Sequence, residues 1–192
     1  MAFTLPPLPY NIADLYSYLN QSTVDTQYNE VTVGFFNTIN RLIGNSPAAD
    51  CASLQQALAR VGENTKNAEL YRVLIHAINY LFFWEGLAPN TKSAPSTELM
   101  KEIEITFGSF ENFKTKFAEN ITRSPNSPNA FTWLIMSNGQ LYLKTSIFVS
   151  VTPKTTNTNI PLLAIAGWMG GFDALWNLIN WEQVNDRFAR AG

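Results

Sequence analysis

Histidine, cysteine and carboxylate side chains most often carry catalysis or bind metals, and this chain has few that could act together. It contains one histidine, His76, and one cysteine, Cys51. A redox-active transition-metal site needs several imidazole and carboxylate ligands at one point, which a single imidazole cannot supply. A Ser-His-Asp triad would also have to use His76, which lies inside a predicted helix. We therefore expect no catalytic residue, and we interpret Cys51 as a small buried hydrophobic residue.

One segment stands out because it lacks reactive groups. Residues 162–172 read LLAIAGWMGGF, without a charge, an imidazole or a thiol. Its glycines do not form a phosphate-binding loop, since the lysine and the Ser/Thr of such a loop are missing. The apolar run at its start is typical of a buried strand. The segment therefore predicts a core strand around Trp168, with no chemistry of its own.

The composition is that of a globular protein with few charges. Hydrophobic residues make up 46% of the 192 residues and charged residues 15%, where about a quarter is typical. The net charge of -2 and the pI near 5.4 argue against direct nucleic-acid binding, which needs clustered Lys and Arg. We expect no transmembrane segment and recognise no signal or transit peptide. A weakly charged surface favours protein partners.

Hydrophobic spacing predicts the elements that would position a site. A first long helix should run from an N-cap at Ser22 or Thr23 to Gly44. Asn138-Gly139 predicts a hairpin turn. The order of elements predicts an α+β fold, with an N-terminal helical hairpin in residues 1–88 and a C-terminal α+β domain in residues 89–192 that share one interior. The other predicted helices lie at about 53–61, 67–85, 96–107, 109–121 and 173–191, and the strands at 130–136, 140–146, 147–151 and 160–168.

Several phrases in this order resemble the iron/manganese superoxide dismutase family. The resemblance covers nearly the whole chain and implies that family's fold, a helical hairpin followed by an α+β domain with a three-stranded antiparallel sheet. The phrases are FTLPPLPY (3–10), LFFWEGLAPN (81–90), FGSFENFKTKF (107–117), FTWLIMSNGQLYL (131–143) and LWNLINWEQVNDRF (175–188).

In that family, three histidines and one aspartate bind one metal ion. Two of the positions that match them here have no side-chain donor atom, so a metal would find at most two weak ligands. The resemblance therefore implies no metal and no cofactor, and we interpret the lone histidine as a helix residue satisfied by a neighbour. The four matching positions hold Gln27, Tyr80, Ala166 and Gly170, and the positions that surround the family's metal hold Val31, Phe35, His76 and Met169.

The lost ligands lead us to expect a protein that is not an enzyme. It would be an inactive structural or accessory subunit of a large assembly, by family analogy in mitochondria (otherwise in the cytoplasm), such as the ribosomal small subunit or a respiratory-chain complex. It would pair with itself or with another chain of the same fold. Two alternatives stay open: a metal-dependent superoxide dismutase with a non-standard or partner-completed site, and a small-molecule binding module in the cavity emptied at Ala166 and Gly170.

Overall fold

A computed structural model describes residues 2–63, 65–90, 92–122, 130–146 and 159–191. Short 3-10 helices lie at Ile12–Ser17, Thr65–Asn67 and Gly167–Met169, and a π-helical turn at Thr26–Thr32 joins the first two α-helices. The α-helices are α1 (Gln21–Asp25), α2 (Val33–Ile43), α3 (Leu54–Val61), α4 (Ala68–Glu85), α5 (Thr97–Phe107), α6 (Phe110–Thr122), α7 (Phe172–Trp176) and α8 (Trp181–Ala189); the strands are β1 (Phe131–Ser137), β2 (Gln140–Ser146) and β3 (Ile160–Ile165).

The three strands form one antiparallel sheet in the order β2-β1-β3. Asn138 and Gly139 turn between β1 and β2 with positive φ values of 50° and 76°, as the Asn-Gly signal predicts. The register between β1 and β3 shifts after Leu134, where Ile135 pairs with Pro161; proline has no amide hydrogen to donate to a ladder. The predicted α+β fold with a three-stranded antiparallel sheet is confirmed. The strand expected at 147–151 lies outside the described residues.

The two long N-terminal helices are antiparallel. Contacts between them pair early positions of one with late positions of the other, from Gln27–Tyr80 to Arg41–Glu69. The apolar face of α2 packs with α3 and α4 around a cluster of mostly aliphatic side chains that includes Cys51, which is 4% exposed. The amphipathic spacing predicts this packing, because each helix has to bury its apolar stripe.

The first helix begins two or three residues earlier than predicted. The side chain of Asn20 accepts a hydrogen bond from the Thr23 amide at 3.0 Å, so Asn20 is the N-cap and the helix starts at Gln21. Asparagine caps as well as serine does, which left the sequence ambiguous. The prediction of Ser22 or Thr23 as the cap is therefore wrong.

The predicted single helix at 173–191 is in fact two helices, α7 and α8. The backbone between them pairs with the segment that follows α4: the Ala88 amide donates to the Leu178 carbonyl at 2.7 Å, and the Asn180 amide donates to the Gly86 carbonyl at 2.9 Å. Because these amide and carbonyl groups bond outside the helix, they cannot form helical hydrogen bonds. The side chain of Asn180 then caps α8. Helix periodicity cannot reveal such a break, because the bonding partners lie about 90 positions away.

The larger core cluster contains residues from both halves of the chain, among them Trp84 from α4 and Trp133 from β1. The division into domains at residue 88 stays a prediction. Among the helices that the structure describes, none is both long and apolar enough to cross a membrane.

Candidate functional site

The four positions matched to the family's ligands come from three parts of the fold. Gln27 is in the π-helical turn, Tyr80 is near the end of α4, and Ala166 and Gly170 flank the 3-10 helix after β3. The Tyr80 hydroxyl donates to Oε1 of Gln27 at 3.3 Å, and the ring of Trp168 stacks on that of Tyr80 at 5.4 Å. Helix α4, the π-turn and the segment after β3 thus meet at Tyr80.

Aromatic rings fill the space around Tyr80. Its fully buried ring meets the edges of Phe35 at 5.1 Å and of Phe131 at 5.4 Å. Phe35 in turn stacks on His76 at 5.5 Å. Well-packed rings of this kind gain dispersion and quadrupole energy. They occupy the volume that a small-molecule binding module would have to keep open.

Burial holds the titratable groups of this cluster in their neutral forms. Desolvation raises the pKa of Tyr80 far above its ordinary value, because the charged phenolate loses its hydration. Desolvation, and to a lesser extent the charge of Arg72, lower the pKa of His76. At neutral pH the cluster therefore presents a phenol and an uncharged imidazole.

The segment after β3 offers no side-chain donor. Ala166 is fully buried and Met169 is 1% exposed, whereas Gly170 lies at the surface. Gly170 has φ +142°, a conformation that favours glycine. A histidine at position 170 would therefore strain this backbone. Val31, in the π-turn, is half-buried and packs on the larger core cluster.

Iron or manganese does not fit the residues at these positions. Gln27 and Tyr80 can offer an amide oxygen and a neutral hydroxyl, which are weak donors beside imidazole and carboxylate. The chain has a single histidine, and no group of three metal-ligating side chains occurs among the described residues. Any metal held here needs donors from outside this set.

Sequence reasoning missed the hydrogen bonds that fix the π-turn. The indole Nε1 of Trp84 donates to the Thr32 hydroxyl at 3.0 Å, and that hydroxyl donates to the Gln27 carbonyl at 2.7 Å. Thr32 is fully buried. A π-helical turn places residue i+5 over residue i, so the 3.6-residue helical period gives no sign of this pair.

The same region contains a buried amide that the sequence did not single out. Asn79 is 0% exposed, and within the described part of the chain neither its Nδ2 nor its Oδ1 has a hydrogen-bond partner. A polar residue within an apolar helix is visible in sequence, but whether it finds a partner is decided by packing.

Comparison with known proteins finds superoxide dismutases at both the domain and the full-length level. Residues 95–172 match the family described as iron/manganese superoxide dismutases, C-terminal domain. The iron superoxide dismutase of Babesia bovis is 27% identical over 96% of this chain and 95% of its own length. That of Plasmodium falciparum (isolate 3D7) is 27% identical over 100% and 98%. The manganese enzyme of Listeria innocua serovar 6a is 26% identical over the whole of both chains. The chain is thus similar over its whole length to iron and manganese superoxide dismutases.

This relationship corrects one expectation. The prediction that the chain is not an enzyme is wrong, because the proteins that align with it over its whole length are named superoxide dismutases of the iron and manganese types. These relatives also give no support to a structural role in a mitochondrial assembly. The dismutase relationship and the poor set of donors at Gln27, Tyr80, Ala166 and Gly170 have to be explained together.

Proposed function

We propose that this chain is a subunit of a metal-dependent superoxide dismutase whose metal site is completed by a second chain. The observation that carries the proposal is the alignment with iron and manganese dismutases over 95% or more of both chains. Because this chain's own side chains do not fit such a metal, a dismutase built from it needs donors from elsewhere. A partner of the same fold is the simplest source, since homologous chains pair through similar surfaces.

The candidate site is reachable by a partner. Gly170 is exposed and Gln27 is half-buried, so donors from a second chain can approach these two positions from the surface. Tyr80, which is hydrogen-bonded to Gln27, is fully buried. In this arrangement Tyr80 orients the Gln27 amide through their hydrogen bond, and the aromatic rings around it exclude water.

Native isolation tests the proposal. The protein is purified from its source at low ionic strength and sized. Its partner chains are identified by mass spectrometry, and bound metal is measured by elemental analysis. We expect a complex with a second superoxide-dismutase-fold chain, stoichiometric iron or manganese, and inhibition of the superoxide-dependent reduction of cytochrome c. A metal-free complex without activity overturns the proposal.

Substitution of Gln27 asks whether this chain contributes to the site. Gln27→Leu should lower the metal content and the activity of the complex, because it removes an oxygen donor beside Tyr80. Gln55→Leu is the matched control, since Gln55 is exposed on α3 and far from the site in sequence. Equal activity in both variants would show that Gln27 takes no part.

A mitochondrial location and membership of a larger assembly remain proposals from family analogy. Cell fractionation with protease protection tests the location, and the sizing step above tests the assembly. A complex no larger than a dimer would rule out the larger assembly and leave the dismutase proposal intact.

A further inference from the structure

A surface pocket beside the β1–β2 hairpin has the character of a binding site. It has a volume of about 500 Å³ and lies where the β1–β2 hairpin, the start of α5 and the end of α8 meet. Pockets of 300–1,000 Å³ are the usual size for ligand sites. The lining residues are Ser96, Glu98, Met136, Gly139, Asn185, Asp186, Phe188, Ala189 and Ala191.

The floor of this pocket is apolar and its rim is acidic. Met136 and Phe188 supply the larger apolar side chains, and the charged residues among those that line the pocket, Glu98 and Asp186, are both acids. Both are exposed. Within the described part of the chain, neither carboxylate takes part in an ion pair. The pocket therefore pairs apolar surface with uncompensated negative charge.

Hydrogen bonds fix the wall of the pocket before any ligand arrives. The Ser96 amide donates to Oδ1 of Asn185 at 2.8 Å, and Nδ2 of Asn185 donates to the Ala94 carbonyl at 3.1 Å. Asn185 therefore ties α8 to the start of α5. A preformed wall lowers the entropy cost of binding.

We propose that this pocket docks a short segment of a partner protein that carries an apolar side chain next to a lysine. The apolar side chain lies on Met136 and Phe188, and the aliphatic stem of the lysine follows it while the ammonium group lies between Glu98 and Asp186. Charge complementarity of this kind guides encounter and selects partners. The proposal is independent of the metal site.

The strength of these contacts favours a protein segment over a free amine. Exposed ion pairs are weak and screened by salt, and a few buried methylene groups add a modest gain. Together they give a free alkylamine a dissociation constant on the order of 1 mM. A lysine side chain on a partner protein binds this pocket more tightly than a free amine does, because further contacts of the partner hold the side chain at a high effective concentration.

A peptide series tests the pocket. The probes are acetyl-Leu-Lys-amide, acetyl-Leu-norleucine-amide and acetyl-Leu-Glu-amide, titrated into the full chain and followed by NMR at the Met136 methyl group and the Gly139 amide. We expect the lysine peptide to bind at least about 5-fold more tightly than the norleucine peptide at low salt, and the glutamate peptide to bind most weakly. Added salt should remove the preference for lysine.

Variants of the rim separate charge from packing. Asp186→Asn and Glu98→Gln should each reduce the preference for lysine, whereas Glu104→Gln, at an exposed position further along α5, should leave it unchanged. The proposal is overturned if lysine and norleucine peptides bind equally at low salt, if the shifts map elsewhere, or if no shift occurs. It is also overturned if hexylammonium binds as tightly as the lysine peptide, which would assign the pocket to free amines.

Discussion

The buried amide of Asn79 gives the sharpest prediction about stability. The side chain is 0% exposed, and within the described residues both polar atoms lack a hydrogen-bond partner. In the unfolded chain water satisfies both atoms. Burying an amide without compensation costs about 1–3 kcal/mol in proteins. Leucine has the same number and branching of side-chain heavy atoms, carries no polar atom and is the better helix former.

We therefore expect Asn79→Leu to stabilise the protein by about 2–3 kcal/mol. For a chain of 192 residues this corresponds to a rise in Tm of about 4–12 °C. Urea unfolding followed by circular dichroism at 222 nm, with a calorimetric scan, measures both quantities. A variant less stable than the parent by about 1 kcal/mol or more would refute the reasoning, because it would mean that the Asn79 amide is satisfied in the folded protein.

Thr32 is the matched control for that experiment. It is also 0% exposed, but its hydroxyl both accepts from the Trp84 indole at 3.0 Å and donates to the Gln27 carbonyl at 2.7 Å. Thr32→Val keeps the shape and leaves a buried indole N–H unpaired, so it should destabilise by about 1–3 kcal/mol. Opposite signs for the two variants would show that partners, and not burial alone, decide the cost of a polar group.

Gly170→Ala should lower the free energy of unfolding by about 1–2 kcal/mol, because φ at position 170 is +142°. Gly171→Ala should leave it nearly unchanged, because φ is -62° and an added Cβ meets open space. Thermal denaturation compares the two variants. Arg187→Met should destabilise by about 2 kcal/mol, since it removes the bond from Nη1 to the Leu162 carbonyl at 3.0 Å; urea unfolding measures the loss, and an unchanged midpoint would contradict it. The lowered pKa of His76 means that below about pH 6.5 the unfolded chain takes up a proton that the folded chain does not, so stability should fall as the pH drops from 7 to 5. The stability of the His76→Phe variant should fall less over the same pH range. Parallel curves of stability against pH for parent and variant would show that the pKa of His76 does not change on folding.

Local signals were sufficient for most of the elements. Helices were predicted at about 53–61 and 96–107, and the structure places α3 and α5 there, one residue later at the start, with Ser53 and Ser96 as their N-caps. The Asn138-Gly139 turn sets the β1–β2 hairpin as predicted. These signals work because the groups involved lie within a few residues of one another. The break between α7 and α8 was not predictable in this way, because it depends on backbone bonds to Gly86 and Ala88.

For the candidate site as well, the sequence determines some properties and the tertiary structure determines others. A chain with one histidine, and with alanine and glycine at positions 166 and 170, cannot build the family's ligand set in any conformation, and that follows from side-chain chemistry alone. The tertiary structure decided what occupies the space instead. It placed Tyr80 against Trp168, joined Tyr80 to the Gln27 amide, and left Gly170 at the surface. Residue types limit which bonds a chain can form, but the partners here are separated by 53 to 88 positions, so only the folded chain brings them within contact distance.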